Sequence, residues 1–423
     1  MYLSSIQEIV KTRFAKDTIW LIAAQAVLMA SGLGINLIIG RGNGAEYLGI
    51  FNQSLALYSI LSTLFAFGLN NQITKEISDG SKSKKQQQNM LLTSLILTGA
   101  ISASLSLIVI SASLFIPQIL SSPELAEVVY IPMFALPFFN LNKNIGAYYS
   151  GLRNQKRFAI QRIVRWVVMI VWVCCCQIQN APLHFFLWCF PVSEGLVFLM
   201  NFIALLPLLR IKPDFSSTSE NLKFGLKSYV AEIISVLNAS LDVILIGYFL
   251  TNAETGIYSF IVYFAKTLYI FPGIMMQNFS PIISKTWATG KIDELKSRMY
   301  SIRRMNRIVV SLQLIALLIV YPIVTLFIKH EFNSTYNLFL ISVLGAYVFS
   351  LVSWSGSMLI MTNKLNENIL RTALIIIASA TCSLIFTWRF GIMGAIIAYA
   401  TNNVIAFLAS RHFIKRTLNI SIT

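Results

Sequence analysis

The chain has 423 residues, of which 56% are hydrophobic and only 12% are charged. Soluble domains average about 45–50% apolar and about 25% charged residues, so a globule of this size has too little interior to hide so much apolar surface. The mean hydropathy of +0.69 supports the same conclusion. This composition excludes a secreted domain, a cytosolic enzyme and a disordered scaffold, and it indicates a polytopic membrane protein.

The chain is strongly basic, with a formal net charge of +16 and a pI of about 9.7. A basic balance is one signature of nucleic-acid binding. Here, however, the Lys and Arg residues lie in short segments between long apolar runs, which is typical of membrane topogenesis. We therefore expect membrane lipids, and no nucleic acid, as partners.

The first apolar run follows three cations, Lys11, Arg13 and Lys16, and extends from about residue 18 to 40. It exceeds the roughly 7–15 apolar residues of a signal peptide and is long enough to span a bilayer. We read it as the first of about twelve transmembrane helices. The predicted spans are residues 18–40, 45–70, 89–117, 127–150, 160–179, 183–207, 225–250, 254–282, 305–328, 335–361, 370–388 and 391–412.

The positions of Lys and Arg predict the orientation of these spans. With the N-terminus in the cytoplasm, twenty-six cations fall in inner segments, whereas only Arg41, Lys329 and Arg389 fall in outer ones. The inner cations are Lys11, Arg13, Lys16, Lys75, Lys82, Lys84, Lys85, Arg153, Lys156, Arg157, Arg162, Arg210, Lys212, Lys223, Lys285, Lys291, Lys296, Arg298, Arg303, Arg304, Arg307, Lys364, Arg371, Arg411, Lys415 and Arg416. This asymmetry predicts an even number of spans with both termini in the cytoplasm.

No pattern in the chain indicates a cofactor or a catalytic centre. Cys174, Cys175 and Cys176 are consecutive in an apolar run, and adjacent helical residues point about 100° apart, so these three thiols are not arranged to bind one metal. There is no zinc-type spacing, no phosphate-binding loop and no hydrolase motif. We therefore expect neither a metal nor a cofactor, and no enzymatic activity.

Two hairpins of the sequence resemble each other at an offset of 207 residues. Ile39-Gly40 recurs as Ile246-Gly247, and Gly49-Ile50-Phe51 recurs as Gly256-Ile257-Tyr258. Glycines at such turns often serve only close helix packing. The shared spacing at half the chain length nevertheless predicts two pseudo-symmetric six-helix lobes, residues 1–210 and 211–423. Alternating-access transporters have this plan, with the substrate site between the repeats.

Several segments carry a resemblance to a known family. Residues 40–51, which read GRGNGAEYLGIF, resemble a turn of Wzx-type polysaccharide flippases, and residues 67–69 and 74–77 lie where that family has its next glycine-containing segment. Residues 241–247 (LDVILIG) resemble the family's seventh span, and residues 391–395 (GIMGA) resemble the start of its last span. These flippases belong to the multidrug/oligosaccharidyl-lipid/polysaccharide (MOP) exporter superfamily.

The resemblance implies a fold and a substrate. It implies a MATE-like, twelve-helix flippase for an undecaprenyl-diphosphate-linked oligosaccharide, most often an O-antigen unit of lipopolysaccharide, in the bacterial inner membrane. The partners that it implies are this lipid-linked oligosaccharide, membrane lipids, and a polysaccharide polymerase with its chain-length regulator.

Four cations fall inside predicted spans, where an unpaired charge costs at least ~2.5–3.5 kcal/mol and indicates function. Lys266 lies near the middle of its span, Lys143 lies deeper than Arg165 and Lys227, and Arg41 lies at the outer mouth. A diphosphate carries two negative charges and needs a polar path lined by such cations. We therefore predict Lys266, Lys143, Arg165, Lys227 and Arg41 as phosphate ligands, with the amide of Asn140 as a sugar ligand.

Three acids also fall inside spans: Glu194, Glu232 and Asp242. An intramembrane carboxylate is a candidate for carrying a coupling proton or Na⁺. The alternative is structural, because each acid is equally suited to pair with a cation such as Lys227 or Lys266 and to hold two helices together.

Two other functions compete with the flippase hypothesis. A cation-coupled multidrug exporter of the same superfamily would have an acidic or aromatic cavity, and four in-span cations against three in-span acids argue against it. A membrane-bound polymerase or ligase would carry a large charged outer loop, which this sequence lacks.

Overall fold

The computed structural model describes residues 13–78, 83–113, 122–206, 213 and 218–418, and within them it is helical with no strand. The helices of the first half are α1 (Arg13–Gly42), α2 (Ala45–Leu64), α3 (Leu69–Ser78), α4 (Lys84–Ser113), α5 (Pro123–Val128), α6 (Tyr130–Met133), α7 (Leu136–Gly151), α8 (Gln155–Ile178), α9 (Leu183–Leu187) and α10 (Cys189–Leu205). Those of the second half are α11 (Thr218–Phe249), α12 (Asn252–Lys266), α13 (Ile270–Ala288), α14 (Ile292–Thr325), α15 (Tyr336–Ser350), α16 (Ser355–Met361) and α17 (Leu365–Leu418).

The helices of the described residues agree with the predicted spans. Nine are long and apolar enough to cross a membrane, and two bent pairs, α2 with α3 and α5–α6 with α7, raise the number to eleven. Helix α17 has 54 residues, about 81 Å at 1.5 Å per residue, and is far too long for a hydrocarbon core of about 30 Å. Its backbone breaks at Gly391, where φ is 58° and ψ is −141°, which yields the last two predicted spans.

The chain divides into two compact units. Unit 1 comprises residues 1–39 and 54–236, and unit 2 comprises residues 40–53 and 237–423. The division falls within α11 at 236/237, further along the chain than the boundary at 210/211 drawn from the sequence. The hairpin of residues 40–53, whose sequence suggested the internal repeat, groups with unit 2. The six-plus-six lobe division stays a prediction.

The glycines of the internal repeat meet in unit 2. A Cβ added at Gly49 would overlap the carbonyl oxygen of Asn252, and a Cβ added at Gly256 would overlap that of Ala45. Ala45 and Asn252 are related by the same offset of 207 residues as the two glycines. The contact is therefore reciprocal, as in a two-fold symmetric interface, and it requires glycine at both positions because the backbones approach too closely for a side chain.

A break interrupts the second span of each half. In unit 1 the chain bends by 57° between α2 and α3, where Phe67 and Gly68 have φ values of 48° and 68°. Tyr229 supports this break, since its hydroxyl donates to the Leu64 carbonyl and its ring stacks on Phe67 at 5.7 Å. In unit 2 a 3-10 turn, Thr267–Tyr269, separates α12 from α13. Discontinuous helices of this kind line substrate and ion sites in transporters.

Candidate functional site

Each of the three in-span acids is paired with one in-span cation. Arg165 pairs with Glu194 and Lys143 with Glu232 in unit 1, and Lys266 pairs with Asp242 in unit 2. The sequence left open whether these acids bind cations of the protein or coupling ions, and the structure places all three in ion pairs. Their degrees of burial differ, and this difference decides which pairs a ligand is able to reach.

The Arg165–Glu194 pair is the most deeply buried, with only 2% of the Glu194 side chain exposed. The guanidinium binds both carboxylate oxygens, with Nε 2.5 Å from Oε1 and Nη2 3.1 Å from Oε2. Asn142 donates to Oε2 at 2.9 Å and the Tyr58 hydroxyl donates to Oε1 at 3.3 Å. This ion pair and its hydrogen bonds connect α2, α7, α8 and α10, because a buried charge is tolerated only when it is paired and hydrogen-bonded.

A chain of hydrogen-bonded side-chain amides extends from this ion pair through unit 1. The side chain of Asn201 donates to Oδ1 of Asn142 at 3.1 Å, and the side chain of Gln161 donates to Oδ1 of Asn201 at 2.7 Å. The Arg165 guanidinium also lies 4.9 Å above the ring of Phe139, which stabilises its charge by a cation–π interaction. The network holds Arg165 in one orientation.

The Lys143–Glu232 pair is more accessible, with 18% and 24% of the two side chains exposed. The Lys143 ammonium lies 2.5 Å from Oε1 of Glu232, and Asn71 donates to Oε2 at 3.2 Å. Asn71 lies in the first turn of α3, immediately after the break that follows α2. Lys143 is therefore held at a partly exposed position, where an incoming anion is able to compete with Glu232.

Unit 1 contains a third cation near these pairs, Arg162, which the sequence analysis assigned to an inner segment rather than to a span. Arg162 lies three residues before Arg165 on α8, so both point from the same side of the helix. Its Nη2 donates to the amide oxygen of Gln25 at 3.1 Å, and no acid of the described residues pairs with it. The i, i+3 spacing to Arg165 is the sequence signal that would have identified it. The cluster of Lys143, Arg162, Arg165, Glu194 and Glu232 thus carries one excess positive charge.

The third pair lines a polar cavity in unit 2. Lys266 is the last residue of α12, and its ammonium donates to the Ala239 carbonyl at 2.9 Å and to Oδ2 of Asp242 at 3.4 Å. The Tyr258 hydroxyl donates to the same oxygen at 3.0 Å. Cations are stabilised at a helix C-terminus, so the end of α12 interacts favourably with this ammonium. The cavity has a volume of about 210 Å³.

The remaining predicted ligands lie elsewhere. Asn140 is fully buried in unit 1, and neither atom of its amide has a hydrogen-bond partner among the described residues. Arg41 is exposed in the last turn of α1. Lys227 lies on α11, but its side chain is outside the described residues.

Two observations define the class of protein: a bundle of membrane-spanning helices with an internal repeat, and paired charges within the spans beside broken helices. Among solved structures, the fold is similar to an inward-facing multidrug resistance MATE family transporter of the MOP superfamily. The TM-score is 0.79, the identity 13%, and the match covers 93% of this chain and 95% of that one. It is also similar to the lipid II flippase MurJ in an inward closed conformation, with a TM-score of 0.76, 14% identity, and coverage of 94% and 87%.

Sequence comparison gives the family. Residues 14–287 match the family described as "Polysaccharide biosynthesis protein", and the chain belongs to it. The chain is also 23% identical to stage V sporulation protein B of Bacillus subtilis (strain 168) over 461 aligned positions, which cover 97% of this chain and 85% of that protein. The resemblance found in the sequence is confirmed at the level of this family, and the solved structures confirm the all-helical, MATE-like fold.

Proposed function

We propose that the protein is a flippase that moves an undecaprenyl-diphosphate-linked oligosaccharide, an O-antigen or similar repeat unit, across the bacterial inner membrane. The head group enters from the cytoplasmic leaflet and leaves into the periplasmic leaflet by alternating access, while the polyprenyl chain stays in lipid. Both termini lie in the cytoplasm, which agrees with the distribution of Lys and Arg. Membership of the polysaccharide biosynthesis family supports this class of substrate.

The excess positive charge within unit 1 is the observation that carries the proposal. Lys143, Arg162 and Arg165 face two acids, Glu194 and Glu232, so the cluster attracts an anion rather than a cation. Arg binds phosphate through two parallel hydrogen bonds, whereas Lys acts as a point charge. A diphosphate that meets both residue types replaces part of the hydration that it loses on leaving water.

The different burial of the two ion pairs suggests different roles. Arg165 binds the deeply buried Glu194, so it contributes mainly a fixed positive field and the structure of the site. Lys143 and Arg162 are the residues that bind the diphosphate directly, since the acid that holds Lys143, Glu232, is partly exposed and Arg162 has only the neutral partner Gln25. An inside-negative potential of 100 mV would favour outward movement of two negative charges by roughly 4–5 kcal/mol.

Ion coupling follows when the phosphate of the substrate replaces Glu232 as the partner of Lys143. When a phosphate takes Lys143 from Glu232, the carboxylate is left without its cation, and uptake of a proton or Na⁺ restores neutrality. Glu232 is therefore the strongest coupling candidate, followed by Asp242, of whose side chain 11% is exposed. Glu194 is the weakest, because Arg165 and two further donors already occupy it.

Transport measurements in vesicles containing the purified full-length protein test this function. The probe is a fluorescent polyprenyl diphosphate that carries an oligosaccharide, and its appearance in the opposite leaflet is measured by chemical quenching. Arg162→Gln and Lys143→Gln should each lower the transport rate about tenfold or more, because a hydrogen bond to a charged group contributes roughly 1.5–3 kcal/mol.

The control is Lys156→Gln, which removes an exposed cation near the start of α8 and should leave the rate unchanged. Normal transport by the Arg162→Gln, Lys143→Gln double variant would refute a role for this cluster in binding phosphate. No transport of the probe by the unmodified protein would refute the flippase function itself.

Cation-coupled drug export is the second candidate, and the similarity to a MATE transporter with a TM-score of 0.79 favours it. Such a transporter recognises an organic cation, so its site needs an acid that no cation neutralises. The unit 2 cavity has an acid and tyrosine rings, but the Lys266 ammonium already binds Asp242. Drug-resistance assays on an overexpressing strain separate the two functions, and a broad increase in resistance to cationic compounds would favour export.

A further inference from the structure

The polar cavity of unit 2 has a composition that the binding of phosphate does not explain. Residues of α11, α12, α15 and both halves of α17 line it, together with the 3-10 turn that follows α12. Among the described residues of the lining, Asp242 is the only acid and Lys266 the only cation, and they bind each other, so their charges cancel. A phosphate would be repelled by Asp242 and an organic cation by Lys266. The cavity therefore favours a neutral ligand.

One polar group of the lining is buried without a partner. Within the described part of the chain, the amide oxygen of Asn402 is buried and accepts no hydrogen bond, and the hydroxyls of Ser379 and Ser383 line the same cavity. Amides and hydroxyls each supply both donors and acceptors, which is the set of groups that neighbouring hydroxyls of a sugar require. Polar groups that converge on one cavity without partners cost stability unless a ligand or water satisfies them.

Aromatic rings form the other part of the wall, and hydrogen bonds hold two of them in place. The hydroxyl of Tyr269 donates to Asn403 at 2.7 Å and lies 3.1 Å from the hydroxyl of Tyr399. The edge of Tyr258 faces Tyr399, with 6.5 Å between the ring centroids. The ring of Tyr269, which is half-buried and held in this manner, offers an apolar face to the C–H side of a sugar ring without losing conformational entropy on binding.

The size of the cavity limits what it is able to hold. Its volume of about 210 Å³ lies below the roughly 300–1,000 Å³ of sites for drug-sized ligands. A single sugar ring fits a cavity of this volume, whereas a whole oligosaccharide does not. The cavity is thus suited to bind one sugar residue of a longer oligosaccharide.

We propose that this cavity binds one neutral sugar residue of the lipid-linked oligosaccharide and so determines which oligosaccharides are transported. The inference rests on the proposed flippase function and adds a specificity site to it. Unit 1 recognises the diphosphate that all such substrates share, and the unit 2 cavity recognises the sugar. A substrate that lacks the hydroxyls leaves the buried amide oxygen of Asn402 unpaired, and the resulting loss of binding energy discriminates strongly between substrates.

Three probes test the proposal in vesicles containing the full-length protein. All carry the same fluorescent polyprenyl diphosphate, which ends in N-acetylglucosamine, in glucuronic acid or in a cyclohexyl group. The unmodified protein should transport the N-acetylglucosamine probe with a kcat/KM at least about tenfold above that of either other probe. Asn402→Leu and Ser383→Ala should lower transport of that probe about tenfold and leave the cyclohexyl probe unchanged.

The control is Asn337→Leu, which replaces an exposed amide of the same unit near the start of α15 and should leave all three rates unchanged. Equal transport of the three probes by the unmodified protein would overturn the sugar site while leaving the flippase function intact. No transport of any probe would overturn both. Ser383→Ala changes the volume of the side chain little, so it tests the proposal even if Asn402→Leu fails to fold.

A second measurement detects binding directly. Saturation-transfer NMR on the purified protein with methyl N-acetylglucosaminide should show contact with the sugar protons, and Ser383→Ala should reduce the signal severalfold. Absence of saturation transfer in the unmodified protein would mean that only water fills the cavity, and this would overturn the proposal.

Discussion

At the scale of single residues, the burial of Glu194 has the largest energetic consequence. Removal of one partner of a buried ion pair leaves the other charge uncompensated and typically costs about 3–5 kcal/mol. We expect Glu194→Gln to destabilise unit 1 by about 3 kcal/mol, because 20% of the Arg165 side chain stays exposed to solvent. Thermal unfolding of the purified protein in detergent checks this value.

Two further variants separate the charge effect from a packing effect. The double variant Arg165→Met, Glu194→Met should recover most of the lost stability, since well-packed apolar residues replace buried ion pairs at little cost. Glu294→Gln breaks an exposed pair with Arg298 and should not shift the unfolding midpoint. An unchanged midpoint for Glu194→Gln would show that the pair is not buried in the membrane-embedded protein.

The pairing of the charged residues was not predictable from the sequence. The sequence located every in-span acid and four in-span cations, because charges stand out in apolar runs. It did not decide which acid meets which cation, since Lys143 and Glu232 lie 89 residues apart and only the folded chain brings them together. Arg162 was assigned to an inner segment because it lies within a few residues of the end of a predicted span, where cations usually belong to a loop.

At the scale of helices, the reciprocal glycine contact limits how α2 and α12 approach each other. Gly49→Leu should force the two backbones apart, because its side chain has no space beside the Asn252 carbonyl. Overpacking of this kind costs about 1–3 kcal/mol, and we expect transport to fall severalfold at an unchanged level of protein. Gly195→Ala is the control, since nothing lies within 4 Å of a Cβ at that position of α10. Full transport by Gly49→Leu would show that the contact is dispensable.

The break in α17 depends on one backbone conformation. Gly391 has a φ of 58° and a ψ of −141°, a region that other residues avoid, and a Cβ there meets no atom within 4 Å. Gly391→Ala should therefore cost about 1–3 kcal/mol through backbone strain alone. Gly394→Ala should cost more, because its Cβ would overlap the Phe386 carbonyl oxygen, although its backbone is not strained. Thermal unfolding compares the two, and equal midpoints for both variants and the unmodified protein would contradict this account.

At the scale of the whole molecule, the charge asymmetry predicts the orientation in the membrane. Alkaline phosphatase is active only outside the cytoplasm, so its fusion at Asn180, between α8 and α9, should be active. A fusion at Asn154, between α7 and α8, should be inactive. Because α8 alone separates the two sites, the pair forms its own control, and the reverse pattern would invert the topology and the proposed direction of transport.

The class of protein, the twelve apolar segments, the internal repeat and the family all follow from the order of the amino acids. These properties are local or periodic: hydropathy, the charge of loops and the spacing of glycines are all visible along the chain without knowledge of contacts. The pairing of charges, the excess cation Arg162 in unit 1 and the neutral cavity of unit 2 became visible only in the folded molecule. These features depend on side chains far apart in sequence, and the packing of helices, which hydropathy does not encode, sets the distances between them.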